Sequence, residues 1–192
     1  MAENNFTVLS GRDQILKRPQ MWIGSMDPIQ EDTFIIRQDK ATYETIEYVP
    51  GLRKIIDEIL DNSIDILISK CDATGTIKVE ITDDQVIISD DGTGIPVVKK
   101  ELTEEELKSL PKAEAKQIAN SYLPELAWTR LFSGSNFDDS ENKTTIGAHG
   151  VGSKCASIFS TKFTGITDDG RICTCSEARA QEAYKWNQER NQ

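Results

Sequence analysis

The stretch between residues 50 and 92 constrains the fold more than any other. Pro50-Gly51 punctuates the chain, and Leu52, Ile55, Ile56, Ile59, Leu60, Ser63 and Leu67 then recur on one helical face, predicting a helix over 52–69. Behind it Ile77, Val79 and Ile81 alternate with Lys78 and Glu80, Asp83-Asp84 offers a turn, and Val86-Ile87-Ile88 runs into Asp90-Asp91-Gly92. That is the pattern of a β-hairpin with one buried face. On the other side of the helix Glu58, Asn62 and Asp65, spaced four and three apart, stack on one face, while the opposite face supplies the core.

The rest of the chain arranges itself around this unit. Residues 1–27 form a polar arm with one apolar and basic cluster from Ile15 to Gly24. Residues 99–125, rich in Glu and Lys and broken by Pro111 and Pro124, are expected to be a solvent-exposed helical insertion. Residues 133–146 are rich in Gly, Ser, Asn and Asp and read as a loop. Glycines at 147, 150 and 152 lead into a helix over 153–160, two strands are expected at 163–166 and 171–174, and the polar tail 176–192 is helix-prone with Trp186 as its anchor.

Composition narrows the function classes. The 192 residues carry 22 Lys+Arg against 32 Asp+Glu, a net charge of −10, so the surface repels bulk nucleic acid and any work on DNA has to be done by other parts of an assembly. No apolar run approaches the roughly 18 residues of a membrane span, and residues 1–11 lack the basic flank and apolar block of a secretory signal. A single soluble domain in the cytoplasm is expected. Cys71, Cys155, Cys173 and Cys175 show neither CxxC nor His-paired spacing, which fits reduced thiols better than a disulfide frame or a zinc site.

Three clusters carry possible chemistry. On the helix, Asn62 is a poor helix former but offers a neutral oxygen suited to a hard cation, and a carboxylate one turn away can polarise a water; the plain alternative is a solvated helix face. The second cluster, Asp90-Asp91-Gly92-Thr93-Gly94-Ile95-Pro96, directly follows a strand. It is either an ordinary turn or a place where a planar ligand approaches the backbone while an Asp accepts a hydrogen bond from an exocyclic amine. The third, Gly147-Ala148-His149-Gly150-Val151-Gly152 with Ser153-Lys154, offers backbone N–H groups at a helix start as a polyphosphate cradle. Ser153 and Lys154 stand in the reverse of P-loop order, and Gly92 and Gly94 do not complete a dinucleotide fingerprint.

In this order the clusters resemble the Bergerat ATP-binding fold of the GHKL superfamily, and the surrounding residues resemble type IIA DNA topoisomerases of the phage and eukaryotic branch. Lys17-Arg18-Pro19-Gln20-Met21-Trp22-Ile23-Gly24 is similar to that family's KRPxMYIG segment, with Trp22 in place of Tyr. Tyr48-Val49-Pro50-Gly51-Leu52 through Asp57-Glu58-Ile59-Leu60-Asp61-Asn62 is similar to YVPGLxKxxDEIxxN. Leu131-Phe132-Ser133-Gly134-Ser135-Asn136-Phe137-Asp138-Asp139 resembles LLTSSNYDD, and the run from Ile158 to Phe163 closes the match.

The resemblance implies a two-layer α/β (α+β) sandwich, with a mixed, mostly antiparallel sheet, helices on one face and ATP held under the 133–146 lid. It implies Glu58 as the general base, Asn62 as the Mg²⁺ ligand with Asp65 beside it, Asp90 as the adenine contact, and Gly94, Ile95 and Pro96 as walls of the base pocket. Ser135 and Asn136 would touch ribose and phosphate, while Gly147, His149, Gly150, Val151, Gly152 and Lys154 would form the phosphate loop, Lys154 adding catalytic charge. His149 stands where this branch usually has Asn, and a loop-anchoring hydrogen bond is its expected role ahead of acid–base work. Thr93 replaces the gyrase Arg, which should weaken inhibitors that stack on a guanidinium.

The expected function is Mg²⁺-dependent ATP binding and hydrolysis that drives the DNA strand-passage gate of a type II topoisomerase. The expected partners are ATP, a homodimer mate through the N-terminal arm when nucleotide is bound, the remaining topoisomerase domains or subunits, and DNA only through the holoenzyme; no membrane is involved. Residues 1–192 are read as one such ATPase domain without the family's transducer domain and its γ-phosphate Lys, so slow turnover of this chain alone is expected, in a host cytoplasm if the gene is a phage's. The alternatives are an ATP-operated dimerisation switch with little turnover, and a non-catalytic interaction protein.

Overall fold

The computed structural model describes residues 7–69, 75–134, 150–168 and 184–189. The chain falls into two compact units, Met1–Asp57 and Glu58–Gln192.

In the first unit, Ser10 caps α1 (Gly11–Lys17) by accepting the Asp13 N–H at 3.2 Å, satisfying one of the orphan donors at the helix start. Ile15 of α1 is fully buried, and Ile23 beyond the 3₁₀ turn Pro19–Met21 is nearly so; these are the apolar members of the Ile15–Gly24 cluster that hold the arm down. Next comes an antiparallel hairpin absent from the sequence expectations, β1 (Ile29–Arg37) with β2 (Lys40–Tyr48), in register from Ile29↔Tyr48 to Arg37↔Lys40. Its two-residue turn puts both Gln38 and Asp39 at positive φ, 48° and 63°, the conformation that Asn-Gly normally announces. One hairpin face stays in solvent, where Phe34 is 72% exposed and its ring meets that of Tyr43 at 4.9 Å.

Helix α2 (Pro50–Ser69) begins with proline, whose missing N–H costs nothing in the first turn. It is the expected helix extended by two residues, and the boundary between the units falls inside it. The second unit continues with the expected hairpin of β3 (Ile77–Ile81) and β4 (Val86–Asp90), antiparallel from Ile77↔Asp90 to Ile81↔Val86. Its apolar face is half-buried at the Ile77, Ile88 and Asp90 end and exposed at the turn end, where Ile81 is 65% accessible. The buried face expected over its whole length is therefore confined to the end that delivers Asp90.

Residues 99–125 are helical, as three short pieces: α3 (Glu104–Ser109), α4 (Lys112–Asn120) and α5 (Leu123–Thr129). A reciprocal capping box between Thr103 and Glu106 starts α3. The segment is not purely solvent-exposed: Ala115 and Ile118, three apart on one face of α4, are buried, and so is Pro124 in the first turn of α5. Helix α6 (Gly152–Phe159) has every residue from Ser153 to Ile158 buried, so it is the central helix of this unit. Strand β5 (Lys162–Thr167) follows, pairing antiparallel with β6 (Tyr184–Glu189), and a Cβ at Gly165 would strike the Trp128 ring of α5 at 2.5 Å. β6 replaces the helix expected in the tail; long-range pairing with β5 outweighs local helix propensity there. The strand expected at 171–174 lies outside the described residues.

Among the described residues the secondary structure is helices plus three antiparallel strand pairs, the ingredients of the expected fold. No described helix is long and apolar enough to cross a membrane.

Candidate nucleotide site

Four elements of the second unit bring the expected residues together: α2, the β4 exit, the α6 start and the end of β5. Asp90 is the last residue of β4. Its Oδ1 accepts the Gly92 N–H at 3.0 Å, closing an Asx turn, and its Oδ2 accepts the Ser63 hydroxyl of α2 at 2.8 Å. The turn beyond it is tight on both sides. A Cβ at Gly92 would lie 2.3 Å from Ile66 Cγ2, and Gly94, at φ 68°, would meet the Asp168 carbonyl at 2.2 Å. Only glycine fits these two positions. The Ile95 N–H donates to Thr167 Oγ1 at 2.7 Å, tying the turn to β5. Asp90, Gly94 and Ile95 thus form one polar-lined corner, with Pro96 next along the chain.

On α2 the three polar residues do not share one solvated face. Asn62 is exposed, Glu58 half-buried, and Asp65 only 7% accessible. The Asn62 Nδ2 donates to the Glu58 carbonyl at 2.8 Å, which turns its Oδ1 the other way. The Glu58 carboxylate lies directly against the first residue of α6, since a Cβ on Gly152 would fall 1.8 Å from Glu58 Oε2. A carboxylate is thereby seated at a helix N-terminus, where the dipole favours negative charge. Burial first, and the Glu58 charge second, push the Cys155 thiol up to about 11, so this buried cysteine is a packing residue.

At the phosphate-loop end, Gly150 has φ 59° and Val151 forms the N-cap of α6. Lys154 is 4% accessible and donates from Nζ to the Ser133 carbonyl at 2.7 Å. Burial holds its ammonium down to about 8. Ser133 Oγ in turn lies 2.7 Å from both the Leu126 and Arg130 carbonyls, which share its single proton, and Ser153 Oγ donates to the Ala127 carbonyl at 2.8 Å. The last carbonyls of α5 are thus capped by the residues that start the loop and α6. Ser135, Asn136, Gly147 and His149 lie outside the described residues.

Sequence reading missed Ser63 and Thr167. Ser63 falls at the core spacing of α2, and its place next to Asn62 is the available signal; Thr167 stands one residue past the expected end of its strand.

The profile of the family described as histidine kinase-, DNA gyrase B-, and HSP90-like ATPase matches residues 47–179. Among curated proteins the chain is 35% identical over 190 residues to the DNA topoisomerase large subunit of Enterobacteria phage T4, covering 96% of this chain and 33% of that protein. It is also 35% identical over 161 residues to DNA topoisomerase 2 of Pisum sativum, covering 83% of this chain and 10% of that protein. The chain therefore spans a third or less of these relatives. Among solved structures, the ATPase region of Saccharomyces cerevisiae topoisomerase II superposes with a TM-score of 0.71 at 32% identity, over 85% of this chain and 40% of that one. Asp90, Glu58, Asn62 and the glycines of the α6 start all fall inside the matched range, and the chain belongs to the histidine kinase-, DNA gyrase B- and HSP90-like ATPase family, with the fold of the type II topoisomerase ATPase region.

Proposed function

We propose that this chain binds Mg²⁺-ATP in the second unit and hydrolyses it to drive the strand-passage gate of a type II DNA topoisomerase. The observation that carries the reading is the seat of Glu58: its carboxylate lies against Gly152, where the N–H groups of α6 begin. Charge-poor backbone donors and a carboxylate side by side suit an anionic phosphate chain and a water to be activated.

Asp90 and the Gly92–Ile95 turn take the adenine, Gly150 to Gly152 take the phosphates, and Glu58 draws a proton from the attacking water. Lys154, two residues into α6, supplies positive charge to that end. Asn62 Oδ1 would hold the magnesium ion, with water and phosphate oxygens completing the coordination. A single neutral protein ligand fits this ion, which keeps most of its waters, and the described residues contain no group of three or more His, Cys, Asp or Glu placed to cage a metal by themselves. When bound, magnesium neutralises phosphate charge.

Around this site, ATP-dependent pairing with a second copy through residues 1–27, the 133–146 segment as lid, a cytoplasmic location, and contact with DNA through the remaining topoisomerase domains complete the proposal. Calorimetric titration of the chain with ATP tests it: saturable binding that tightens with Mg²⁺ is expected, and no binding under either condition would overturn it.

A further inference from the structure

We propose that Ser63 makes the Asp90 corner read an amino group and reject a keto oxygen; this rests on Asp90 being the base contact. The hydroxyl has one proton, and it is committed to Asp90 Oδ2 at 2.8 Å. What Ser63 Oγ has left is lone pairs. Asp90 already accepts from Ser63 on one oxygen and from the Gly92 N–H on the other. The pair therefore presents two adjacent acceptors and no donor, and it is 6% accessible at Ser63, so water has little room to correct a mismatch.

An exocyclic amine brings N–H donors to such a corner, and one of them can donate to a remaining lone pair of Asp90. A 6-keto purine brings an oxygen, which meets only lone pairs. Buried sites of this kind reject the wrong group far more strongly than an apolar pocket rejects a misfit. The two donors also fix the Asp90 rotamer, so its remaining lone pairs keep one direction. Without the Ser63 hydroxyl, Oδ2 is released to turn, and space opens for a water that can rotate and donate to a keto oxygen.

The test measures the ratio of ATP to ITP affinity for the full chain by calorimetry, in the wild type, Ser63→Ala, Ser63→Thr and Asp90→Asn. The ratio should fall about tenfold in Ser63→Ala and be retained in Ser63→Thr, which keeps a hydroxyl. A merely structural role would weaken both nucleotides alike and leave the ratio unmoved. Should Asp90→Asn change the ratio while Ser63→Ala does not, Ser63 has no part in selection and the proposal fails. If neither variant changes it, the base-site assignment itself is wrong and the proposal falls with it.

Discussion

The two ends of the candidate site are built on opposite plans. At the Asp90 end every polar group named has a partner of matched chemistry: a carboxylate accepting from a hydroxyl and an N–H, and an N–H donating to the Thr167 hydroxyl. At the α6 end a charged group is met by a neutral dipole. Lys154, a full cation, is buried against the Ser133 carbonyl, and Glu58 sits against a glycine at a helix start. A carbonyl dipole offsets only part of the cost of desolvating an ammonium, which is why burial brings Lys154 down to about 8. On the proposed reading the base corner is organised in advance, while at the other end an incoming phosphate chain would offset the cost of burying the Lys154 ammonium.

The strongest way to break the comparison acts on the charged end. Glu58→Gln removes the proposed base but keeps the shape against Gly152, so turnover should fall by about two to four orders of magnitude with nucleotide binding retained. Wild-type turnover in that variant, measured in a context where the parent is active, would remove Glu58 from the chemistry.

Lys154 supplies the next largest effect. Its folded value of about 8 lies below the 10.5 of the unfolded chain, so between those pH values the unfolded state binds more protons and stability should rise with pH, by about 3 kcal/mol in all. Cys155, raised from 9.0 to about 11, works in the opposite direction at the top of this window, so the informative quantity is a difference between variants. Chemical denaturation of the wild type and Lys154→Met at pH 7 to 10 should show the rise only in the wild type. Equal pH dependence would mean that the ammonium is not buried.

These two residues also mark what the sequence discloses. Glu58, Asn62 and the β4–Asp90–Gly92 connection were legible because helical period, strand alternation and turn chemistry are local signals, and they coincide here. The capture of Lys154 by a carbonyl 21 residues away was not, because nothing in Gly152-Ser153-Lys154 says which acceptor lies opposite. The β1–β2 hairpin was missed for a related reason: its turn is Gln38-Asp39, lacking the glycine that flags such turns, and its exposed face carries Phe34 and Ile36 where alternation predicts polar residues. In the tail, local helix propensity was read where pairing with β5 decides the outcome.

At the base end smaller effects are expected. Asp90→Ala should lower ATP affinity by about 1–3 kcal/mol, leaving the amine and the Ser63 hydroxyl without their acceptor. Unchanged affinity by calorimetry would move the base elsewhere. Smallest of all, Thr167→Val deprives the Ile95 N–H of its acceptor and should cost about 1 kcal/mol of stability, read as a lowered thermal midpoint. No shift would mean that the turn is held by its glycines alone.

The central claim, one ligand spanning both ends, is tested most directly by hydrogen exchange of the chain with and without a non-hydrolysable ATP analogue and Mg²⁺. The account predicts slowed exchange at the backbone amides of both Gly92–Ile95 and Gly150–Cys155 in the same titration. Protection at only one of these segments, or at neither while the nucleotide is bound, would contradict it.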